Sequence, residues 1–343
     1  MLKYRKQAIK KLNVIMAVYN AEKYLNEAVS SILSQSFGDF LLLCMYEKTS
    51  NDASLEILNN FASKDNRVKI VPNDEFEKSL TKSLNQGLAM ADSEYIARMD
   101  ADDICEKDRF KIELEFLENH KDIDIVGSCV DIEGDLTDEQ YDEHIRRFNF
   151  PMNSDNAREI MLTYWYCFIS SSAVFRRTVI DSVGLYSHGE GEDFDFWLRC
   201  LRNGHKIFKL DNRLVTYRVH KESLTQRIIP NGFAASRAFQ IKFDDVFTKR
   251  NISKLSYLIW GAGTGGRITK KVLDGQTGYF ICKGFIDTYV TGNFLDCNIY
   301  RPEKLTELDY DYLFIATVPG KEDAIEKLKK LGKENIKDFL CSV

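Results

Sequence analysis

The sequence predicts an α/β protein in two parts, a mostly parallel sheet with helices on both faces and a smaller βαβ unit after it. Three observations predict this. Between Asn13 and Met99, strand-sized apolar runs alternate with segments whose apolar residues recur at helical spacing, the pattern of successive β-α-β units. From Leu255 the alternation restarts around a glycine-rich turn, GAGTGG. The chain has 343 residues, more than one hydrophobic core usually holds.

Taken in order, Asn13 to Val18 (NVIMAV) is a short apolar strand. Asn20 follows as an N-cap, and Tyr24, Leu25, Ala28, Val29, Ile32 and Leu33 repeat with the period of a helix. Phe40 to Met45 is a second buried strand, and the polar stretch EKTSND leads from it into an amphipathic helix, Ser54 to Phe61. Asp52 or Ser54 can cap that helix. Val68 to Val71 and Tyr95 to Met99 are further strands, with a helix from Leu80 to Ala91 between them. After Gly127 the pattern loosens into an acidic segment, DIEGDLTDEQYDEH, and then an aromatic block, YWYCFISSSAVF. In GEGEDFDFWLRCLRNG, Phe194, Trp197, Leu198 and Leu201 mark one helix face, and Gly204 ends the helix. A strand from Arg213 to Val219 runs into His220. The expected organisation is a first domain over 1–228, a helical connector over 229–254 and a second domain over 255–343. In the second domain a strand (Leu255 to Trp260), a glycine turn, a helix (Arg267 to Leu273) and a strand ending at Asp287 follow one another. YDYLFIATV and Glu322 to Leu331 add a strand and a helix.

Composition narrows the class. With 44% hydrophobic and 29% charged residues, 5 Pro and 19 Gly, the chain is neither disordered nor collagen-like. A net charge of -5 disfavours nucleic acid as a partner. No apolar run approaches the roughly 20 residues of a membrane helix. The basic stretch MLKYRKQAIKKLN has no apolar core of a secretory signal and reads as a solvated leader, with contact to an anionic membrane surface as the alternative. The 8 cysteines form no CxxC pair, and most sit among apolar neighbours as small buried hydrophobes do. The expected location is therefore cytoplasmic, with the inner face of the membrane as the variant of it.

In parallel sheets, ligands sit beyond the carboxyl ends of the strands, which directs attention to Tyr19-Asn20, Tyr46-Glu47, Pro72-Asn73 and above all Asp100-Ala101-Asp102-Asp103. Carboxylates at i and i+2 on a turn suit one divalent cation through hard oxygen ligands, and without a cation they repel one another. Glu192 and Asp193 stand at a helix start, where backbone N–H groups favour negative charge; capping alone would explain one of them. Asp193 and Trp197, four apart, share a face. A base that takes a proton from an alcohol needs such a half-buried, oriented place. His220, alone at a strand end, is open to a structural or a ligand role. Gly261, Gly263 and Gly266 keep the GxGxxG spacing between a strand and a helix, and Asp287 lies 21 residues beyond Gly266, near the spacing of a ribose contact. A nucleotide or dinucleotide is the ligand this pattern admits; tight packing of a fold without ligand is the alternative. Tyr300 and Lys304 have dehydrogenase-like spacing, but Pro302 between them breaks a shared helix turn.

Together these pieces resemble glycosyltransferase family 2, inverting enzymes with the GT-A fold. VIMAVYNAEKYLNEAVSSILSQSFGDF is similar to the family's opening, LNQGLAMADSEYIARMDADDICEKDRF to the stretch with its DxD metal motif, GEDFDFWLR to its ED motif and YRVH to the segment closing over the donor. The resemblance covers about residues 10 to 228. It implies that Asp100 and Asp102 orient the donor ribose and bind Mn2+ or Mg2+, with Asp102 the more direct ligand. It also implies that Asp193 is the general base, Glu192 orients the acceptor, His220 assists at the metal or diphosphate, and Tyr19 and Asn20 border the nucleotide base. Where the family has Asp-Asp-Gly-Ser after its second strand, this chain reads MYEKTSND, so Glu47 stands in for the uracil contact, the donor is not a uridine nucleotide, or donor binding is weak. The tail resembles the small Rossmann-like domains carried by sugar-modifying enzymes.

The expected reaction is a metal-dependent, single in-line displacement moving a sugar from a nucleotide-diphosphate donor, a UDP-sugar foremost, to a hydroxyl of a glycan or lipid-linked acceptor in bacterial surface polysaccharide synthesis. Two other readings stand beside it: a catalytically weak sugar-nucleotide-binding or regulatory module, and an NAD-binding function of the tail. Oligomeric state is left open.

Overall fold

The computed structural model describes residues 10–73, 79–164, 167–187, 189–224, 233–248, 252 and 254–343; the basic stretch before Lys10 lies outside them. The chain divides into two compact units, Met1–Ala157 with Tyr166–His220 and Arg158–Trp165 with Lys221–Val343.

The first unit runs β1 (Leu12–Val18), α1 (Glu22–Leu33), β2 (Phe40–Glu47), α2 (Ser54–Lys64), β3 (Val68–Asn73), α3 (Leu80–Met90), β4 (Tyr95–Arg98), β5 (Ile104–Cys105), α4 (Arg109–Asn119), β6 (Ile125–Gly134) and α5 (Asp138–Phe148). After α6 (Ala157–Thr163), most of which belongs to the second unit, come β7 (Val174–Arg176), α7 (Thr178–Val183), α8 (Glu192–Arg202) and β8 (Ile207–Val219). The eight strands form one sheet in the order β3-β2-β1-β4-β7-β6-β8-β5. β1 pairs in parallel with β2 and β4, β2 with β3, and β6 with β8, whereas β7 and the short β5 run antiparallel to their neighbours. The mostly parallel sheet expected from the alternation is therefore present.

Strands covered on both faces are apolar at almost every position, which is why NVIMAV and FLLLCMY were readable as strands. Val14, Met16 and Val18 face a core with Leu25, Ala28, Val29 and Ile32 of α1, Leu58 of α2 and Phe110, Leu114 and Leu117 of α4. On the opposite face α3 lies so close that a Cβ on Gly87 would stand 2.6 Å from the Ile15 side chain. β8 starts six residues earlier than the expected Arg213, because Ile207 to Leu210 already pair with β6.

The second unit continues with α9 (Phe233–Phe247), β9 (Lys254–Trp260), α10 (Thr264–Asp274), β10 (Tyr279–Ile286), β11 (Gly292–Phe294), β12 (Cys297–Tyr300), β13 (Tyr312–Ile315), α11 (Lys321–Lys330) and β14 (Phe339–Cys341). Its six-stranded sheet has the order β11-β12-β10-β9-β13-β14 and is parallel except for β11. The segment read as a connector carries α9, whose Phe239, Phe243 and Phe247 pack edge-on against Phe314, Phe280 and Tyr312 at ring-centre distances of 5.4, 5.6 and 5.0 Å. Residues 229–232, 249–251 and 253 of it lie outside the described set. Among the described residues, no helix is long and apolar enough to cross a membrane, and all eight cysteines are free, six of them buried.

Candidate active site

Because β1 sits between β2 and β4 in parallel, the carboxyl ends of β1 to β4 open on one rim. At the end of β1, Asn20 adopts φ 46°, a left-handed conformation that Asn tolerates better than most residues. Its Oδ1 accepts from the Asn51 N–H (2.9 Å), and the Ser50 Oγ accepts from its own N–H (3.2 Å). The Ala21 and Glu22 N–H groups donate to Ser54 Oγ and Asp52 Oδ2, both at 2.9 Å, and Glu22 Oε2 accepts from the Ala53 N–H. The polar stretch after β2 thus caps α1, and α1 returns a bond to the start of α2. Tyr19 lies exposed at this rim. Glu47 is buried opposite Asn73 in the β2–β3 register, accepting from Asn73 Nδ2 (3.2 Å) and Thr49 Oγ1 (3.3 Å).

Next along the rim stands the acidic turn after β4. Asp100 Oδ1 accepts from Arg98 Nε at 3.2 Å, Asp102 Oδ2 lies 3.0 Å from His220 Nε2, and Asp103 Oδ1 accepts from the Arg218 N–H at 2.9 Å. His220 reaches the turn because β5 pairs with β8, Ile104 opposite Thr216 and Cys105 opposite Val215. Arg218 fastens the same junction, donating to the Asp102 carbonyl (3.3 Å) and pairing with Glu133 (3.1 Å) and Glu27. The His220 ring rests on Tyr24, centres 4.6 Å apart.

Burial pushes the Asp102 carboxyl up, Asp100 adds to the rise, and His220 opposes it. Asp103 is raised well above the usual carboxylate range by burial, then by the charges of Asp102 and Asp100, against the pull of the Ser171 hydroxyl and the Arg218 N–H. A cation among these groups would relieve that repulsion. The donor set, hard carboxylate oxygens with one imidazole, suits Mn2+ or Mg2+. Among the described residues no three His, Cys, Asp or Glu side chains form a ready-made metal cluster. The chain itself therefore offers Asp102 and His220, with Asp100 beside them, and leaves other positions to a ligand's oxygens and water, as Mg2+ sites commonly do.

Opposite the turn, α8 begins at Glu192 after Gly191 in the left-handed conformation (φ 73°). Asp193 Oδ2 accepts from Ser170 Oγ at 2.8 Å, and Oδ1 accepts from the Phe194 N–H at 2.7 Å. Glu192 is buried and accepts from Arg98 Nη1 at 3.3 Å. Its carboxyl is pushed up to about 7, by burial first and by the Asp193 charge second, against the pull of Arg98. The Arg98 guanidinium, itself buried, lies 5.8 Å from the centre of the Tyr186 ring. One cation from β4 thus joins Asp100 to Glu192, and through it the acidic turn to the start of α8. Asp195, the remaining acid of the motif, is bound by Arg199 and Ser187.

Sequence reasoning singled out neither Arg98 nor Ser170. Arg98 had a signal: a charge between YIA and M, inside an apolar strand, must find partners when buried. Ser170 had none, since a serine among three serines carries no pattern.

A profile of glycosyl transferase family 2 matches residues 13–184, the stretch that holds β1 through the acidic turn to Ser170. The chain belongs to glycosyltransferase family 2. It is a glycosyltransferase with a GT-A-like first unit. Glycosyltransferase MJ1057 of Methanocaldococcus jannaschii, itself uncharacterized, is 30% identical over 224 residues, 63% of this chain and 74% of that protein. The O-antigen biosynthesis glycosyltransferase WbnJ of Escherichia coli is 28% identical over 215 residues, 62% of this chain and 81% of its own. Among solved structures, the mannosyltransferase PcManGT of Pyrobaculum calidifontis, in complex with GDP-Man and Mn2+, superposes with a TM-score of 0.52 at 16% identity. That superposition covers 72% of this chain and 66% of the other, and at this identity it speaks for the fold.

In the second unit, the glycine turn joins β9 to α10 beside the loop after β13. Gly261 has φ 120°, and a Cβ on Gly266 would meet the Gly261 carbonyl oxygen at 2.1 Å, whereas one on Gly263 would meet nothing within 4 Å. Asp287, at the end of β10, accepts from the Ala262 N–H (3.0 Å) through Oδ2 and from the Tyr289 and Val290 N–H groups (2.8 and 3.0 Å) through Oδ1. Burial would raise its carboxyl, but these three donors outweigh burial and hold it below the usual range. Tyr300 ends β12 and Lys304 sits in a separate 3-10 turn.

Proposed function

We propose that the first unit moves a sugar from a nucleotide-diphosphate donor, a UDP-sugar foremost, to a hydroxyl of a glycan or lipid-linked acceptor in one inverting, in-line displacement. The observation that carries this reading is the buried Arg98, whose guanidinium bonds Asp100 on the donor side and Glu192 beside Asp193 on the acceptor side. Two carboxylate groups with different tasks, one on the turn after β4 and one on α8, are thereby tied to a single side chain of β4, as proximity catalysis requires.

Asp193 takes the acceptor's proton as the new bond forms; such base catalysis is worth about 10²–10⁴-fold. Glu192 orients that acceptor. Tyr19 and Asn20 border the nucleotide base, and Glu47, held by Asn73 and Thr49, receives its imide N–H. Mn2+ or Mg2+ at Asp102, His220 and Asp100 would supply a Lewis acid for the charge of the departing diphosphate. Asp103 and Arg218 keep the acidic turn and the end of β8 in register with each other. The name of the O-antigen relative supports a role in bacterial surface polysaccharide synthesis.

For the second unit we propose a nucleotide or dinucleotide bound through its phosphates at the N-terminus of α10. Its support is the open space over the Gly263 backbone between Gly261 and Gly266, which pack closely. Asp287 shapes that turn through the Ala262 N–H and keeps acceptor capacity for a ribose hydroxyl.

A screen of UDP-, GDP- and dTDP-sugars, read as nucleotide release with and without EDTA, tests the first proposal. Release that needs the metal and is lost in Asp193→Asn supports it. Tight donor binding without turnover on any acceptor makes the unit a binding module instead.

A further inference from the structure

We propose that Ser170 is a positioning residue for the Asp193 carboxylate, with its hydroxyl aimed by Trp197. The inference rests on the reading of Asp193 as the base.

The direction of each proton follows from the chemistry of the partners. Trp197 Nε1 lies 3.2 Å from Ser170 Oγ, and an indole N–H can only donate. The serine oxygen therefore accepts there. Its single proton goes to the other neighbour, Asp193 Oδ2, at 2.8 Å, because an ionised carboxylate can only accept. The relay runs one way, from indole to hydroxyl to carboxylate.

Both relay members are held by packing. Trp197 is 1% exposed and sits edge-on to Phe168, Phe175 and Phe196 at 5.3, 5.9 and 4.9 Å. Ser170, 4% exposed, opens a 3-10 turn whose backbone is closed by Ser172 N–H to Ile169 and Ala173 N–H to Ser170. Asp193 and Trp197 are four apart on α8, so one helix presents both the carboxylate and the donor that sets its partner. With Oδ2 held by Ser170 and Oδ1 by the Phe194 N–H, the carboxylate plane is fixed and each oxygen keeps a lone pair for the incoming proton. A charge-assisted bond of this kind is among the stronger ones a side chain makes. The methyl group of an alanine donates nothing, so the carboxylate would keep only the Phe194 N–H and could turn about it.

The test measures kcat and donor KM, by nucleotide release from the sugar nucleotide that the donor screen shows to be turned over, for Ser170→Ala, Ser170→Thr, Asp193→Asn and the double variant Ser170→Ala/Asp193→Asn, with thermal melts of each. Ser170→Ala is expected to lower kcat about 10- to 100-fold with KM within about twofold, the pattern of a misaligned base. Ser170→Thr, which keeps the hydroxyl, is expected to recover most of the rate. On the Asp193→Asn background the alanine is expected to cost nothing further, because residues that act as one unit are not additive. An unchanged kcat in Ser170→Ala, or an equal loss on the Asp193→Asn background, overturns the inference. So does loss of the folded state in both Ser170 variants, which would make the serine a folding residue. A fully active Asp193→Asn is a different result and overturns the base assignment itself.

Discussion

Replacing Glu192 by Gln should make the first unit more stable at alkaline pH while impairing transfer. Glu192 is buried at the start of α8, beside Asp193 and against Arg98, and its carboxyl is pushed from an ordinary 4.5 to about 7. The folded state thus holds that proton more tightly than the unfolded chain does. Stability consequently falls as pH rises from 4.5 to about 7 and levels off above it. At about 1.4 kcal/mol per pH unit, the full loss is about 3 kcal/mol. Glutamine resembles the protonated acid and never pays this penalty. At pH 5 the variant should melt close to the parent, and at pH 8 higher by roughly 6–12 °C, using about 2–4 °C per kcal/mol for a unit of this size. Melting curves by circular dichroism at the two pH values provide the assay. An equal gain at both, or no gain at pH 8, would refute the reasoning. Nucleotide release should meanwhile fall, since the charge that orients the acceptor is gone.

Asp193→Asn should retain donor binding by calorimetry and lose about 10²–10⁴-fold in transfer rate, with unimpaired transfer as the contrary result. Asp102→Ala and His220→Ala should each weaken the Mn2+-dependent part of UDP binding and leave metal-free binding unchanged; equal losses with and without Mn2+ would count against a metal role. In the second unit, Gly266→Ala should lower the melting temperature, because its Cβ would press on the Gly261 carbonyl oxygen at 2.1 Å and such overpacking typically costs about 1–3 kcal/mol. Gly263→Ala, into open space, should fold like the parent and weaken nucleotide binding, measured by fluorescence titration with NADH and by calorimetry with UDP.

The parallel core was legible because its strands are covered on both sides. FLLLCMY carries no polar position to obscure a strand, and the helix of Leu25, Ala28, Val29 and Ile32 buries one face only. From Ile125 to Phe148 that logic fails. β6 ends in the exposed Glu133-Gly134, and α5 offers only Tyr141, Ile145 and Phe148 at helical spacing among charged residues, with Phe148 alone buried, so the apolar signal is thin. The capping box of Thr137 and Gln140 was the signal available there, and it marks the helix start without an apolar stripe. α9 was seen as a helix, but its Phe239, Phe243 and Phe247 belong to the second unit's core, a fact of partners rather than of spacing. In the site, the acids were visible as motifs at strand and helix ends. What joins them was not, because Arg98 and Ser170 act through neighbours remote in sequence, 94 and 23 residues away.

The central claim is that the rim of the first sheet gathers a divalent cation that holds a diphosphate beside Asp193. Crystals soaked with Mn2+ and UDP-GlcNAc, with data collected at the manganese edge, test it most directly. The account predicts an anomalous peak bonded to Asp102 and His220 with diphosphate oxygens on its other side and the sugar facing Asp193. A nucleotide bound with no peak at that rim, or a peak elsewhere in the unit, would contradict it.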